Sequence, residues 1–298
     1  MGRDGKEIEV QGVASVSRKG GFYTRYTEAQ SLGAIRGGHG DLVVISLPVS
    51  LPLQGRVALV TGAAKRLGRA VALRLAEEGA DLVVHYRSSQ GEAQDVVKKI
   101  EKLGRRASAI AADLSSVAEI KRLFDEAGKR FGRLDILVNS AANFLPANMV
   151  STTEEIWDSA LDTNLRAPFF CAQAAAPWLR RTQGVIINFA DSSGLLGWPG
   201  YIPHSVSKAG VIMLTKVLAK ALAPEVRVNA IVPGTITMEG DPQEWEADFV
   251  KLAPLRRTGK PNDIADAVSY LIRAEFMTGH VLVLDGGRSL GPTAVEFR

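Results

Sequence analysis

The stretch that most constrains this chain is residues 56–71, RVALVTGAAKRLGRAV. Val57, Ala58, Leu59 and Val60 form an apolar run too short for a helix and suited to a strand covered on both faces. Gly62 and Gly68 follow, and Ala63 and Ala64 keep the turn between them slim. Such a turn lets backbone N–H groups and the positive end of the next helix approach an anion, so the stretch predicts a phosphate-binding βα turn.

The rest of the chain repeats this alternation. Strands are expected at 81–85, 107–111, 136–138, 184–190, 226–232 and 281–284. Helices are expected at 90–103, 117–131 and 206–223, and a long one running through Trp157 and Asn164 to about Arg180 opens on a capping box of Thr152 and Glu155. Short connections between alternating elements predict a Rossmann-like α/β fold, a doubly wound parallel sheet of about seven strands with helices on both faces. A glycine turn after the first strand points to an order in which the chain returns to the middle and reverses direction. Residues 1–52 are glycine-rich without sustained periodicity and are read as an N-terminal extension, disordered or loosely attached, ahead of a single domain at 53–298. No methionine lies between Met1 and Met149, so part of the extension is read as an over-extended start, with Val49 as an example of a later one.

Composition excludes several classes. A net charge of +4, with basic residues scattered among acidic ones, argues against nucleic-acid binding. The apolar run at 42–53 contains Pro48 and Pro52 and is too short to span a bilayer, so no membrane association and a cytoplasmic location are expected. One cysteine, Cys171, rules out an intrachain disulfide, and with four histidines no metal site is expected.

Where an NAD-selective site would carry an acidic residue after the second strand of the domain, this chain reads His85-Tyr86-Arg87-Ser88-Ser89. Arginine and two hydroxyls favour a 2′-phosphate and hence NADPH, with Lys65 or Arg66 as helpers. Asp113 ends the third strand, where a carboxylate can face an adenine edge.

From about Leu53 to Gly291 the chain resembles the short-chain dehydrogenases/reductases. Residues 61–68, TGAAKRLG, match that family's TGxxxGxG turn except that Arg66 replaces the middle glycine. Residues 139–142, NSAA, stand where the family has NNAG, Asn164 matches its helix asparagine, and Pro233-Gly234 matches its turn beside the nicotinamide. Residues 257–265, Thr278-Gly279 and Asp285-Gly286-Gly287 also match. The pteridine reductase branch is the nearest look-alike. It shares the Arg66 replacement, an aspartate thirteen residues before the catalytic tyrosine position (Asp191 before 204), and an aromatic that stacks on the pterin, here Phe144. Ala142, where better-known members of that branch have serine, departs from it.

The resemblance implies cofactor contacts from Gly62, Lys65, Arg66, Leu67, Gly68, Tyr86, Arg87, Ser88, Asp113, Leu114, Asn139, Lys208, Pro233, Gly234 and Ile236. It implies a catalytic set of Asn164, Asp191, His204 and Lys208, a pocket lined by Phe144 and Tyr201 and closed by residues 238–255, and a homotetramer or homodimer built on the two long helices. The YxxxK motif here reads His204-Ser205-Val206-Ser207-Lys208, with histidine in place of the proton-donating tyrosine. Four residues apart on a helix, His204 and Lys208 share one face. The implied activity is NADPH-dependent reduction of a small carbonyl or pterin-like substrate. The alternative is an impaired NADP-binding protein with a sensing or assembly role. Tyr201 is a rival proton donor.

Overall fold

A computed structural model describes residues 32–36, 42–46, 51–238, 240–241 and 249–291. The expected late start at Val49 and most of the extension lie outside these residues, as does part of the expected pocket segment 238–255. The chain divides into two units, Met1–Pro52 and Leu53–Arg298. Within the first unit, β1 (Leu32–Arg36) pairs antiparallel with β2 (Leu42–Ser46), Leu32 opposite Ser46. The sequence reading assigned no element there. The β-branched run Val43-Val44-Ile45 supplies the strand propensity it overlooked.

The second unit is built on a seven-stranded parallel sheet of β3 (Val57–Val60), β4 (Asp81–Tyr86), β5 (Ala107–Ala111), β6 (Ile136–Asn139), β7 (Val185–Phe189), β8 (Arg227–Pro233) and β9 (Val281–Leu284), in the order β5-β4-β3-β6-β7-β8-β9. The chain moves outward from β3 to β5 and returns to lay β6 against β3, so the order reverses beside the glycine turn, where open α/β sheets bind ligands. Burial follows the pleat. Ala58 and Val60 face one core with α1 (Arg66–Glu77), α2 (Gln90–Lys102) and α8 (Pro261–Arg273), while Val57 and Leu59 face another with α3 (Val117–Phe131), α5 (Ala167–Thr182) and α7 (Ile202–Leu222). Both faces being covered explains why β3 reads as an unbroken apolar run.

Two helix boundaries differ from the sequence reading. The helix expected to open at Thr152 is capped by Thr153, whose hydroxyl accepts from Ile156 N–H, while Thr152 donates to the Asn148 carbonyl instead. It is also not one helix: α4 (Glu154–Leu161) passes through a π turn at Asp162–Arg166 into α5, and Asn164 sits in that turn. Single π turns interrupt α-helices most often at functional sites. α7 begins four residues earlier than expected, with Pro203 preorganising its first turn, so that His204 and Lys208 both belong to it. Cys171 is buried in α5, and burial pushes its thiol up to about 12. No described helix is long and apolar enough to cross a membrane.

Candidate active site

The C-terminal ends of the sheet strands open into a cavity of about 680 Å³ whose walls run from the glycine turn, past the ends of β4 and β5, to Phe144, Asp191, His204 and Lys208. The glycine turn is held by contacts that local sequence does not reveal. Gly62 has φ +66°, and its N–H donates to His85 Nδ1 at 3.0 Å. His85 Nδ1 must therefore be the acceptor, which leaves Nε2 to carry the proton and donate to the Ala112 carbonyl at 3.0 Å. Burial holds this ring neutral, lowering its pKa to about 4. A Cβ on Gly68 would stand 2.4 Å from the Gly62 carbonyl oxygen, so only glycine lets α1 start this close to the turn. Thr61 Oγ1 accepts from Ser140 and Ala141 N–H at 2.9 and 3.0 Å, fastening the turn to the chain leaving β6.

Most residues expected to hold a cofactor line the cavity: Gly62, Lys65, Arg66, Leu67, Gly68, Tyr86, Arg87, Ser88, Asp113, Leu114, Lys208, Pro233, Gly234 and Ile236. A slim turn that a Cβ would block, on the wall of a cavity of about 680 Å³, fits a dinucleotide. Two of the cations are already engaged. Lys65 pairs with Glu92 at 2.7 Å, and Arg66, at φ +48° where the family has glycine, makes a two-pronged pair with Asp241 at 2.9 and 3.2 Å. Arg87 is exposed and has no hydrogen bond or ion pair among the described residues. The Asp113 carboxylate accepts from Ser115 N–H and Oγ, and these bonds hold its pKa below the usual range.

Asn139, Asn164 and Tyr201 are not on the cavity wall. The Asn139 side chain is buried between strands and donates to Asn188 Oδ1 at 2.9 Å. Tyr201 stacks behind Phe144, with centroids 4.4 Å apart and planes 12° from parallel, while the exposed Phe144 ring reaches the cavity. Asn164 acts through its neighbours. Its Oδ1 accepts from Asn143 N–H at 2.9 Å, which fixes the amide's orientation, and its Nδ2 protons go to the Asn143 carbonyl at 3.1 Å and Ser207 Oγ at 3.2 Å.

That assignment decides the state of His204. Asn164 Nδ2 also stands 3.3 Å from His204 Nδ1, farther than from the Asn143 carbonyl and Ser207 Oγ, so its two protons are assigned to those oxygens and His204 Nδ1 donates to the Asn143 carbonyl at 3.2 Å. In the neutral ring Nε2 is then a bare lone pair; it is buried, has no hydrogen-bond partner among the described residues and lies 4.0 Å from Asp191 Oδ1. Burial lowers the His204 pKa first and the Lys208 cation adds to this, while Asp191 and the Asn143 carbonyl pull it back. Lys208 donates to the Phe189 carbonyl at 2.8 Å, and burial brings its pKa down to about 8. Asp191 is anchored by Ser193 N–H at 2.7 Å.

A parallel sheet reversing at a glycine turn, with Lys208 and His204 one helical turn apart on the cavity wall, defines a Rossmann-like α/β architecture with its candidate site at the strand ends. Residues 62–289 match the sequence family described as Enoyl-(Acyl carrier protein) reductase. The chain is 38% identical over 237 residues to the 3-oxoacyl-[acyl-carrier-protein] reductase FabG of Staphylococcus aureus, covering 77% of this chain and 96% of that protein. Among solved structures it is similar to the angucycline C-6 ketoreductase LanV with bound NADP, at 30% identity and TM-score 0.76, covering 80% of this chain and 97% of that one. A blue fluorescent protein from a metagenomic library in complex with NADPH gives 33% identity and TM-score 0.75, over 79% of this chain and 98% of that one. The chain belongs to the short-chain dehydrogenase/reductase family and is an oxidoreductase of that type.

Sequence reasoning named Asp241 only as part of the segment 238–255 and did not single out His85, Asn143 or Trp198, which also shape the cavity wall. Only His85 carried a local signal, a polar residue inside an otherwise apolar strand.

Proposed function

We propose that the protein reduces a small ketone with NADPH, the proton being delivered by the His204 imidazolium. The observation that carries this reading is the buried, unpartnered His204 Nε2 on the cavity wall beside Lys208. A bound nicotinamide would supply the hydride. Gly62 to Gly68 would receive its diphosphate on backbone N–H groups, Lys208 its ribose, and Arg87 with Ser88 the 2′-phosphate, since no carboxylate follows β4.

His204 is the residue that moves a proton. The Asn143 carbonyl, itself oriented by Asn164, holds the Nδ1 proton, so the ring donates from Nε2 only when it carries a second proton. Asp191, at 4.0 Å, favours that charged form. Imidazole is shorter than phenol, so a bridging water carries the proton to a substrate seated for tyrosine. Both NADP-bound and NADPH-bound proteins among the similar structures, one of them named a ketoreductase, support the cofactor and the reaction class. The Phe144 ring keeps pterin-like compounds among the substrates to test.

The testing experiment follows NADPH consumption at pH 6 against ketones, quinones and pterins. Turnover of at least one class, abolished by His204→Ala, is expected. Tight NADPH binding without turnover on any of them would replace this reading with that of a nucleotide-binding protein. A homodimer or homotetramer is proposed from the exposed apolar side chains of α5 and α7, Phe169, Val206, Met213 and Val217.

A further inference from the structure

Beyond β9 the chain brings a cation, Arg288, that has no ion pair among the described residues, to the aromatic end of the cavity. Arg288 opens the short turn Arg288–Leu290, and Asp285 fixes that turn by accepting from Gly287 N–H at 2.8 Å and Ser289 N–H at 2.7 Å, one to each oxygen. The carboxylate closest to Arg288 in sequence is thereby committed to backbone. The Arg288 guanidinium lies over the Trp198 ring at 4.9 Å and the Phe249 ring at 4.7 Å. Both rings line the main cavity, and Arg288 lines a second one of about 360 Å³ that shares Thr235, Ile236 and Phe249 with the first.

Nη1 of Arg288 is buried and has no hydrogen-bond partner among the described residues. Two other carboxylates that line the second cavity are occupied: Asp263 accepts from Lys260 N–H at 2.8 Å and Asp266 pairs with Arg74. Asp191 and Asp285 lie close enough to attract the guanidinium, but neither side chain bonds it. Arg288 as a whole is half-buried, but a buried N–H without an acceptor is costly, and aromatic faces cover only the plane of a guanidinium, leaving its N–H edge for a planar anion. The guanidinium is next to the substrate side of the site through Trp198, which is in contact with Phe144, itself in contact with His204.

We propose that Arg288 selects substrates by accepting a carboxylate carried at a distance from the reacting carbonyl, with Trp198 and Phe249 holding the guanidinium flat to receive it. This rests on the reductase reading above and specifies its substrate class: an acidic ketone rather than a neutral one.

The test uses matched pairs of aryl and aliphatic ketones that differ only in carboxylate against methyl ester. Binding to the NADP complex is measured by calorimetry and reduction by NADPH consumption, for the parent, Arg288→Gln and Arg288→Lys, with melting curves reporting that each variant is folded. A charge-assisted hydrogen bond predicts that the parent binds each acid about ten- to a hundredfold more tightly than its ester. Arg288→Gln brings the ratio to within about twofold, and Arg288→Lys leaves an intermediate one, because a point charge replaces a fork. No acid preference in the parent, or a preference that survives in Arg288→Gln, overturns the proposal. Ketones reduced without acid preference leave the reductase reading standing and refute only the role of Arg288. Acids bound through Arg288 but never reduced support that role and refute the reductase reading.

Discussion

Lowering the pH should loosen the molecule at the glycine turn, and His85 sets by how much. Its ring is 2% exposed, accepts from Gly62 N–H and donates to the Ala112 carbonyl, so a second proton would turn the Gly62 contact from attraction to repulsion. The folded-state pKa of about 4 lies below the ordinary 6.5, so the unfolded chain takes up the proton first. The contribution is therefore intact above about pH 6.5 and is lost progressively as the pH falls toward 4. A difference of this size, at 1.36 kcal/mol per pKa unit, predicts a loss of about 2 kcal/mol between pH 7 and pH 5. Urea unfolding of the parent and of His85→Phe at pH 7, 6 and 5 measures it. At pH 7 the variant should be less stable by about 1–3 kcal/mol, because Gly62 N–H and the Ala112 carbonyl lose their partner. Its stability should then fall less steeply than the parent's, by about 2 kcal/mol over the same range. His204 pulls both proteins in the same direction and cancels in the comparison. Parallel pH dependences in parent and variant would refute the reasoning.

Arg87→Asp should weaken NADPH about ten- to a hundredfold in a fluorescence titration and narrow or reverse the preference over NADH; equal binding of both cofactors by the parent would contradict the assignment. Gly68→Ala forces a Cβ against the Gly62 carbonyl oxygen and should abolish measurable NADPH binding by calorimetry while lowering stability by about 1–3 kcal/mol. Light scattering at micromolar concentration should give a dimer or tetramer mass, and a monomer would count against the role proposed for α5 and α7.

The elements legible in the sequence are those whose signal is local. β3, Gly62 and Gly68 lie within a dozen residues and their periods are plain, so strand, turn and helix were all readable. The reversal of the sheet after β5 could be expected because the turn after the first strand must sit where neighbouring connections diverge. What the sequence hid depends on distant partners. Arg66 is an expected cofactor contact by position, yet its partner Asp241 stands 175 residues away. Asn139 and Asn164 carry family motifs, but they act from behind the wall, through Asn188 in one case and Asn143 in the other. The π turn was hidden because α5 is apolar over much of its circumference, so the shift in register that one extra residue brings left no visible break in the pattern.

The pH profile of kcat/KM for ketone reduction tests the central claim most directly, that the Asn164-Asn143 arrangement leaves His204 able to donate only as an imidazolium. Between pH 5 and 7.5, below the point where Lys208 titrates at about 8, the parent should lose activity tenfold per pH unit once the pH passes the His204 pKa, which lies under its ordinary 6.5. His204→Tyr should be flat over this range, since a phenol stays protonated, and at pH 7 should exceed the parent by up to about 10²–10⁴-fold. A flat profile in the parent, or acid-side activity retained by His204→Ala and lost in Tyr201→Phe, would contradict it.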